Sequence, residues 1–440
     1  MTERRKLYTF YTLLVTQTFS LIGSRMTALA LGIWIFADTG EATPLVLISF
    51  FSFLPRLLSA SIAGVMADRY DRRYVMAIAD VGQAVGTVLL LISFSSGAFQ
   101  LWHLYAVTIL QSVFDIFQTP AFQASVTMLV PDKHRNRANA IQLVTSPVAG
   151  IIAPALAGTL YGLFGVTGII TIDLLTFLAS IIVLLSIYIP KPEPSDEEQT
   201  QRRSLWREAL AGLQFVWQRK PLMMIFVFTG LTNFFLAGMI SLQTPYILSR
   251  TNSEATLGTL LGIYSAGSLA GTVLMAIWGG TKRRVQTMMP GLAILGVALA
   301  FLGMAQQPLP MALMLFIMAL FPPINNVSII SLLQIKVPPQ LQGRVFAAIS
   351  QISMTLIPLS YLVTGPTADN VFEPLVNTPA WSAFGTLFGN SAGAGMGLMM
   401  TISGIAITVV SLTIYSMPIV RNLETLLPDY VAGATESAAS

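Results

Sequence analysis

Five ionisable side chains stand inside long apolar runs: Arg25, Arg56, Asp80, Asp115 and Asp173. An ionised group at the centre of a bilayer costs about 2.5–3.5 kcal/mol on insertion scales, so each of these needs a partner or a task. A carboxylate at such depth can take up and release a proton. A guanidinium can pair with that carboxylate or with an acidic solute. Little other chemistry is open to the chain. It has no cysteine, which excludes disulfides, thiolate metal sites and thiol nucleophiles, and its two histidines, His103 and His134, fall near the ends of apolar runs. No nucleophile–base pair or metal constellation can be assembled at depth from what remains.

Asp115 is the leading proton-coupling candidate. Thr108, Gln111, Ser112, Asp115, Gln118 and Thr119 fall within an arc of roughly 120° on a helix of 3.6 residues per turn. A polar stripe of this kind must face protein or water rather than lipid. Asp115 lies about 22 Å along its helix from one membrane face, and Arg25 about 25 Å along its own from the same face. The two are therefore expected to pair, with protonation of Asp115 freeing Arg25; a permanent structural salt bridge is the alternative. Arg56 shares a second stripe with Ser49, Ser52 and Ser59, where it meets an acidic solute, or else serves structurally by snorkelling or pairing with Asp80. Asp173 is read as structural. With Gln111 and Gln118, the cavity candidates of the second half are neutral: Asn233, Tyr264, Asn325, Asn326 and Gln351. Each of these serves equally as a hydrogen bond between packed helices.

Twelve apolar stretches must hold these groups in place: 8–37, 43–66, 74–96, 102–130, 139–164, 166–189, 221–249, 256–279, 285–305, 308–335, 345–366 and 393–418. A run of about 20 residues crosses the hydrocarbon, so each is long enough to span it. The composition agrees. The 440 residues are 54% hydrophobic and 10% charged, with a mean hydropathy of +0.71, whereas a soluble domain is roughly 25% charged. A soluble enzyme, a disordered chain and a nucleic-acid-binding protein are excluded on that ground. Of 24 basic residues, 21 fall on the connections and ends that an even number of spans puts on one side, and Arg250 alone falls on the other. That bias predicts cytoplasmic termini. The long opening apolar run reads as a retained first span rather than a cleaved leader.

The chain divides at its longest polar segment. Residues 1–189 form one set of six spans, 190–220 a linker with an amphipathic helix marked by Trp206, Leu210, Leu213 and Trp217, 221–420 a second set of six, and 421–440 a tail. The halves repeat. Val130-Pro131 through Arg137 after span 4 is echoed by Val337-Pro338 through Arg344 after span 10, and Arg72-Arg73 by Arg283-Arg284. Six-plus-six repeats around a midplane pathway are the arrangement of a rocking transporter. Gly258, Gly262, Gly267 and Gly271 mark close packing of span 8. The segment 367–392, with Trp381, Phe384 and Phe388, reads as an interfacial cap.

Gly64-Val-Met-Ala-Asp68-Arg69-Tyr-Asp71-Arg72-Arg73 resembles the signature between helices 2 and 3 of the major facilitator superfamily. The resemblance covers the whole chain. It implies an all-α membrane protein with 12 transmembrane helices in two pseudo-symmetric six-helix bundles. It also implies a cytoplasmic latch of Gly64, Asp68, Arg69, Arg72, Arg73, Asp132 and Arg344, in which Gly64 permits close packing, Asp68 caps the start of span 11 near Arg344, and Arg72 binds a neighbouring carboxylate such as Asp132. The stretches Val15 to Ser24, Leu29 to Trp34 and Val337 to Val345 are similar to the subgroup that includes macrolide efflux proteins and the enterobactin exporter. Two departures stand out: the antiporter pattern of span 5 appears as Ala153-Pro154-Ala-Leu-Ala157-Gly158, and Asp115 occupies the region where proton-coupled drug exporters carry an arginine in span 4.

The resemblance thus implies a monomeric transporter of the bacterial cytoplasmic membrane, coupled to protons and surrounded by lipid. It needs no cofactor or metal and would export a small drug-like or siderophore-like solute. A proton-coupled uptake permease is the alternative. An ATP-driven pump is disfavoured because the chain has no Walker motif.

Overall fold

A computed structural model describes residues 3–69, 71–188, 214 and 217–426, with side chains described except at 59–69, 220, 221, 340, 344 and 347. Within those residues the chain is helical throughout. In the first half, α1 is Glu3–Thr39, α2 Thr43–Arg69, α3 Arg72–Ser95, α4 Leu101–Leu129 and α5 Asp132–Ser186. In the second, α6 is Lys220–Ser241, α7 Gln243–Thr251, α8 Glu254–Trp278, α9 Arg284–Met304, α10 Pro308–Lys336, α11 Pro339–Thr355, α12 Ile357–Thr367, α13 Ser382–Phe388 and α14 Ala394–Ser416.

Local chemistry sets the ends of these helices. Asp71 caps α3, its Oδ1 accepting from the Arg73 amide at 3.1 Å. Ser253 caps α8, and Gly279, at φ +73°, ends it in the left-handed conformation that glycine tolerates. Gly165, at φ +62°, breaks the 55 residues of α5 into two arms. Those arms are spans 5 and 6. Among the described residues, nine helices are long and apolar enough to cross a membrane. Counting both arms of α5, and adding α2 and the polar-striped α4, gives the expected twelve.

The two bundles meet chiefly along three helix pairs, α1 with α7, α2 with α12, and the first arm of α5 with α8, with slighter contacts of α2 to α6 and α11. The α5–α8 seam begins at the face opposite the basic connections, where Gly158 meets Glu254, and runs inward as far as Gly150 and Ser265. Asp369, just after α12, joins the bundles at that same face. It accepts from the Ala42 amide at 2.9 Å, the Thr43 amide at 2.7 Å and the Thr43 hydroxyl at 2.5 Å. The expected glycine packing of span 8 is divided between two neighbours. A Cβ on Gly258 would stand 2.3 Å from Pro154 O in the other bundle, whereas Cβ atoms on Gly267 and Gly271 would strike the Phe316 and Leu320 carbonyls of α10.

The cap expected over the pathway sits elsewhere. Trp381 and Phe388 are each 2% exposed and pack with Met304 at the end of α9, Leu398 at the start of α14, and Phe372 just after α12. Arg250 Nη2 holds the Phe388 carbonyl at 2.8 Å. The segment therefore caps its own bundle, because its aromatic rings find apolar cover there.

Candidate functional site

A cavity of about 800 Å³ opens between α1, α4 and the first arm of α5. Arg135 and Asn139, near the basic end of α5, line its mouth; Ser24, Asp115, Gln118 and Ser146 line its depth. The wall combines amides and hydroxyls with Leu14, Leu21, Phe122 and Phe177. It suits a solute with both apolar area and a few hydrogen-bonding groups.

Asp115 faces this cavity, but its partner is not Arg25. Arg56 Nη2 donates to Asp115 Oδ2 at 2.7 Å. The α2 and α4 stripes run alongside each other, and Ser112 Oγ donates to the Ser52 carbonyl at 2.5 Å one turn further along. Arg25 turns toward α5 instead, donating to Ser146 O and Oγ, each at 2.7 Å. Equal depth in the membrane says nothing about which face of a helix a residue occupies. Arg56 consequently does not reach Asp80 either.

The Arg56 and Asp115 side chains are 59% and 39% exposed. Water screens such a pair, so it contributes little to folding. A double-mutant cycle with Arg56→Gln and Asp115→Asn, read by thermal unfolding, is expected to give a coupling of no more than about 1 kcal/mol. A coupling of roughly 3 kcal/mol or more would mark the pair as a buried strut instead.

Asp80 is fully buried behind the cavity wall. Three helices donate to it: Gln17 Nε2 from α1 at 3.0 Å, Gln118 Nε2 from α4 at 2.5 Å, and Ser180 Oγ from the second arm of α5 at 2.7 Å. Gln17 and Gln118 are themselves cavity-lining residues. Sequence reasoning missed this cage; the available signal was that Gln17 and Gln118 are amides inside apolar runs. Asp173, 1% exposed, accepts from Ser24 Oγ at 3.1 Å, in keeping with the structural reading.

Other candidates are placed as follows. Gln118 lines the cavity, but Gln111 turns away and donates to Gln83 O and Thr87 Oγ1 of α3, each at 3.2 Å. Asn233 Nδ2 donates to Ser353 O at 2.9 Å, bracing α6 on α11. Tyr264 is half-buried against the core, and Asn325 is buried against α9 beside Gly291. Asn326 and Gln351 are exposed.

Of the latch residues, the side chains of Gly64, Asp68, Arg69 and Arg344 lie outside the described residues, as do Trp206, Leu210 and Leu213 of the linker. Arg72 does not bind Asp132. Its Nη1 donates to Ala124 O of α4 at 2.7 Å, while Asp132 pairs with Arg135 at 2.6 Å, one turn along the same helix. Arg73 donates to the Leu184 and Leu185 carbonyls in the last turn of α5. That is where a helix leaves its carbonyls unpaired and favours a cation.

Twelve apolar helices in two related bundles, with a polar-lined cavity between helices of one bundle, define an integral membrane transporter rather than an enzyme. The family model described as Major Facilitator Superfamily matches residues 13–360, and the chain belongs to that superfamily. It is 27% identical over 367 residues to Macrolide efflux protein A of Streptococcus pyogenes, covering 82% of this chain and 90% of that protein. It is 24% identical over 350 residues to Multidrug efflux pump Tap of Mycobacterium tuberculosis, covering 75% and 80% respectively. Among solved structures it is similar to a bacterial homolog of the human lysosomal transporter Spinster in an inward-facing, unoccupied conformation. That match has a TM-score of 0.74 and 15% identity and covers 98% of this chain and all of that one.

Proposed function

We infer that the chain exports small amphipathic compounds by alternating access, driven by protons. One observation carries this reading: the cavity opens toward the basic face while the bundles are joined at the opposite face by Asp369 and the Gly258 contact. The positive-inside bias makes that basic face cytoplasmic, with both termini there and the surrounding lipid that of a bacterial inner membrane. A solute would then enter from the cytoplasm and leave after the bundles rock apart on the other side.

The wall chemistry narrows the substrate class. Asp115 is neutralised by Arg56 and Arg135, at the mouth, by Asp132, so the cavity offers no strong net charge, and the remaining lining groups are neutral amides, hydroxyls and apolar surface. Neutral or weakly charged amphipaths fit best, and the relatives named for macrolide and multidrug efflux support that class. The protein acts as a monomer, without cofactor, metal or nucleic acid.

The test is an accumulation panel in a pump-deficient bacterium, including a macrolide and ethidium, with and without an uncoupler. Expression is expected to lower accumulation of at least one compound, and the uncoupler to restore it. Unchanged accumulation of every compound would refute export. Export indifferent to the uncoupler would refute proton coupling.

A further inference from the structure

We propose that Asp80, rather than the cavity-facing Asp115, is the proton-binding site of this transporter, loaded from the cavity through Gln17 and Gln118. The proposal rests on the proton-coupled reading above. Asp115 already has a cation at 2.7 Å and is exposed in the cavity wall, so a proton there would displace Arg56. Asp80 is 0% exposed, and the three side chains that donate to it are neutral. Burying a carboxylate charge without a cation is costly, and a bound proton removes that cost.

The charged side chains inside the spans packed on Asp80, and those at the basic ends that have partners, are held elsewhere. On α3 itself, Arg72 holds Ala124 O and Arg73 the end of α5. On α1, Arg25 holds Ser146 of α5. Asp115 on α4 holds Arg56 of α2. On α5, Asp173 is held by Ser24, and Asp132 pairs with Arg135.

Access and consequence both follow from the cage. Gln17 and Gln118 each present one side to the cavity and the other to the carboxylate, so the proton crosses a single layer of side chain. Uptake is simple addition: one carboxylate oxygen gains O–H, and no other bond is made or broken. The protonated group must then donate where it had accepted. Ser180 Oγ, which already receives Gln17 Nε2 at 2.8 Å, is the adjacent acceptor if its hydroxyl turns away. Gln118 also bonds Gln17 Oε1 at 2.7 Å and receives Gln83 Nε2 at 2.7 Å. One proton therefore rearranges a network that ties α1, α3, α4 and the second arm of α5, each of which contributes side chains to the cavity wall.

The experiment is an infrared pH titration of the purified full chain in lipid, following the C=O stretch of protonated carboxyl groups. The wild type is expected to gain a buried-carboxyl band on acidification. Measured in an Asp173→Asn background, which removes the other buried carboxyl, Asp115→Asn keeps it, Asp80→Asn lacks it, and Gln118→Leu, which deletes one donor to Asp80, displaces it. No band in the wild type, or a band unmoved by both Asp80→Asn and Gln118→Leu, would overturn the assignment. Gln118→Leu serves alone if Asp80→Asn does not fold. A failure of proton coupling itself is separately visible as wild-type export that ignores an uncoupler.

Discussion

Replacing Asp369 by alanine is expected to move the resting protein away from the state open on the basic face. Its carboxylate spans the two bundles, accepting from the amides of Ala42 and Thr43 and from the Thr43 hydroxyl. Those amides are at the start of α2, where a helix leaves its first N–H groups without partners and where its dipole favours an anion. Hydrogen bonds to a charged group contribute about 1.5–3 kcal/mol each in favourable settings. Asp369 is half-buried at a water-facing end, so a total near 2–3 kcal/mol is the reasonable scale. That corresponds to a roughly 30- to 150-fold change in the ratio of the two states.

The natural absence of cysteine makes this measurable. A single Gln142→Cys reporter lies in the cavity wall, reachable in the state described. Adding Asp369→Ala is expected to slow its labelling by a membrane-impermeant maleimide from the basic face, with Asp369→Asn intermediate. An unchanged labelling rate would mean that Asp369 merely caps a helix and does not bias the two states.

The position of Asp369 completes a symmetry that the sequence half reveals. Asp68 ends span 2, and the resemblance to the family signature carries the expectation that it meets the start of span 11. Asp369 stands at the end of span 11, against the start of span 2. The first could be read from Gly64 to Arg73 because the motif is contiguous. The second could not, because nothing near Asp369 in the chain announces a partner 326 residues away.

The same contrast runs through the site. The long apolar spans and the all-helical fold were legible because lipid forbids unpaired backbone and forces long apolar runs. The polar stripe on α4 was legible for the same reason. Which of its members face the cavity was not. The arc from Thr108 to Thr119 is wide enough for Gln111 to bind α3 while Asp115 meets α2. Depth counting placed Arg25 and Asp115 level, but azimuth decides pairing, and α1 turns Arg25 toward Ser146. The Asp80 cage draws single residues from three other helices, so no local pattern encodes it.

Substituting Gly258 by leucine is expected to abolish transport without preventing insertion. A Cβ there would stand 2.3 Å from Pro154 O, 3.1 Å from Pro154 C and 3.5 Å from Gly158 Cα. All three are backbone atoms of the other bundle, so no side chain can swing aside to make room. Overpacking costs typically about 1–3 kcal/mol when neighbours can relax, and a wedge against backbone lies at or above that range. The cost falls only on the closed arrangement of the face opposite the basic connections, since each bundle keeps its own interior. The variant should therefore reach the membrane, stay open on that face, and slow labelling of Gln142→Cys more than Asp369→Ala does. Export should drop to the level of cells lacking the protein. Two controls separate this from misfolding. Gly271→Leu strikes Leu320 O within one bundle and is expected to lower the amount of folded protein. Gly162→Ala, with nothing within 4 Å of its added Cβ, is expected to behave as wild type. Export by Gly258→Leu at the wild-type rate would show that the seam between α5 and α8 need not close in the working cycle.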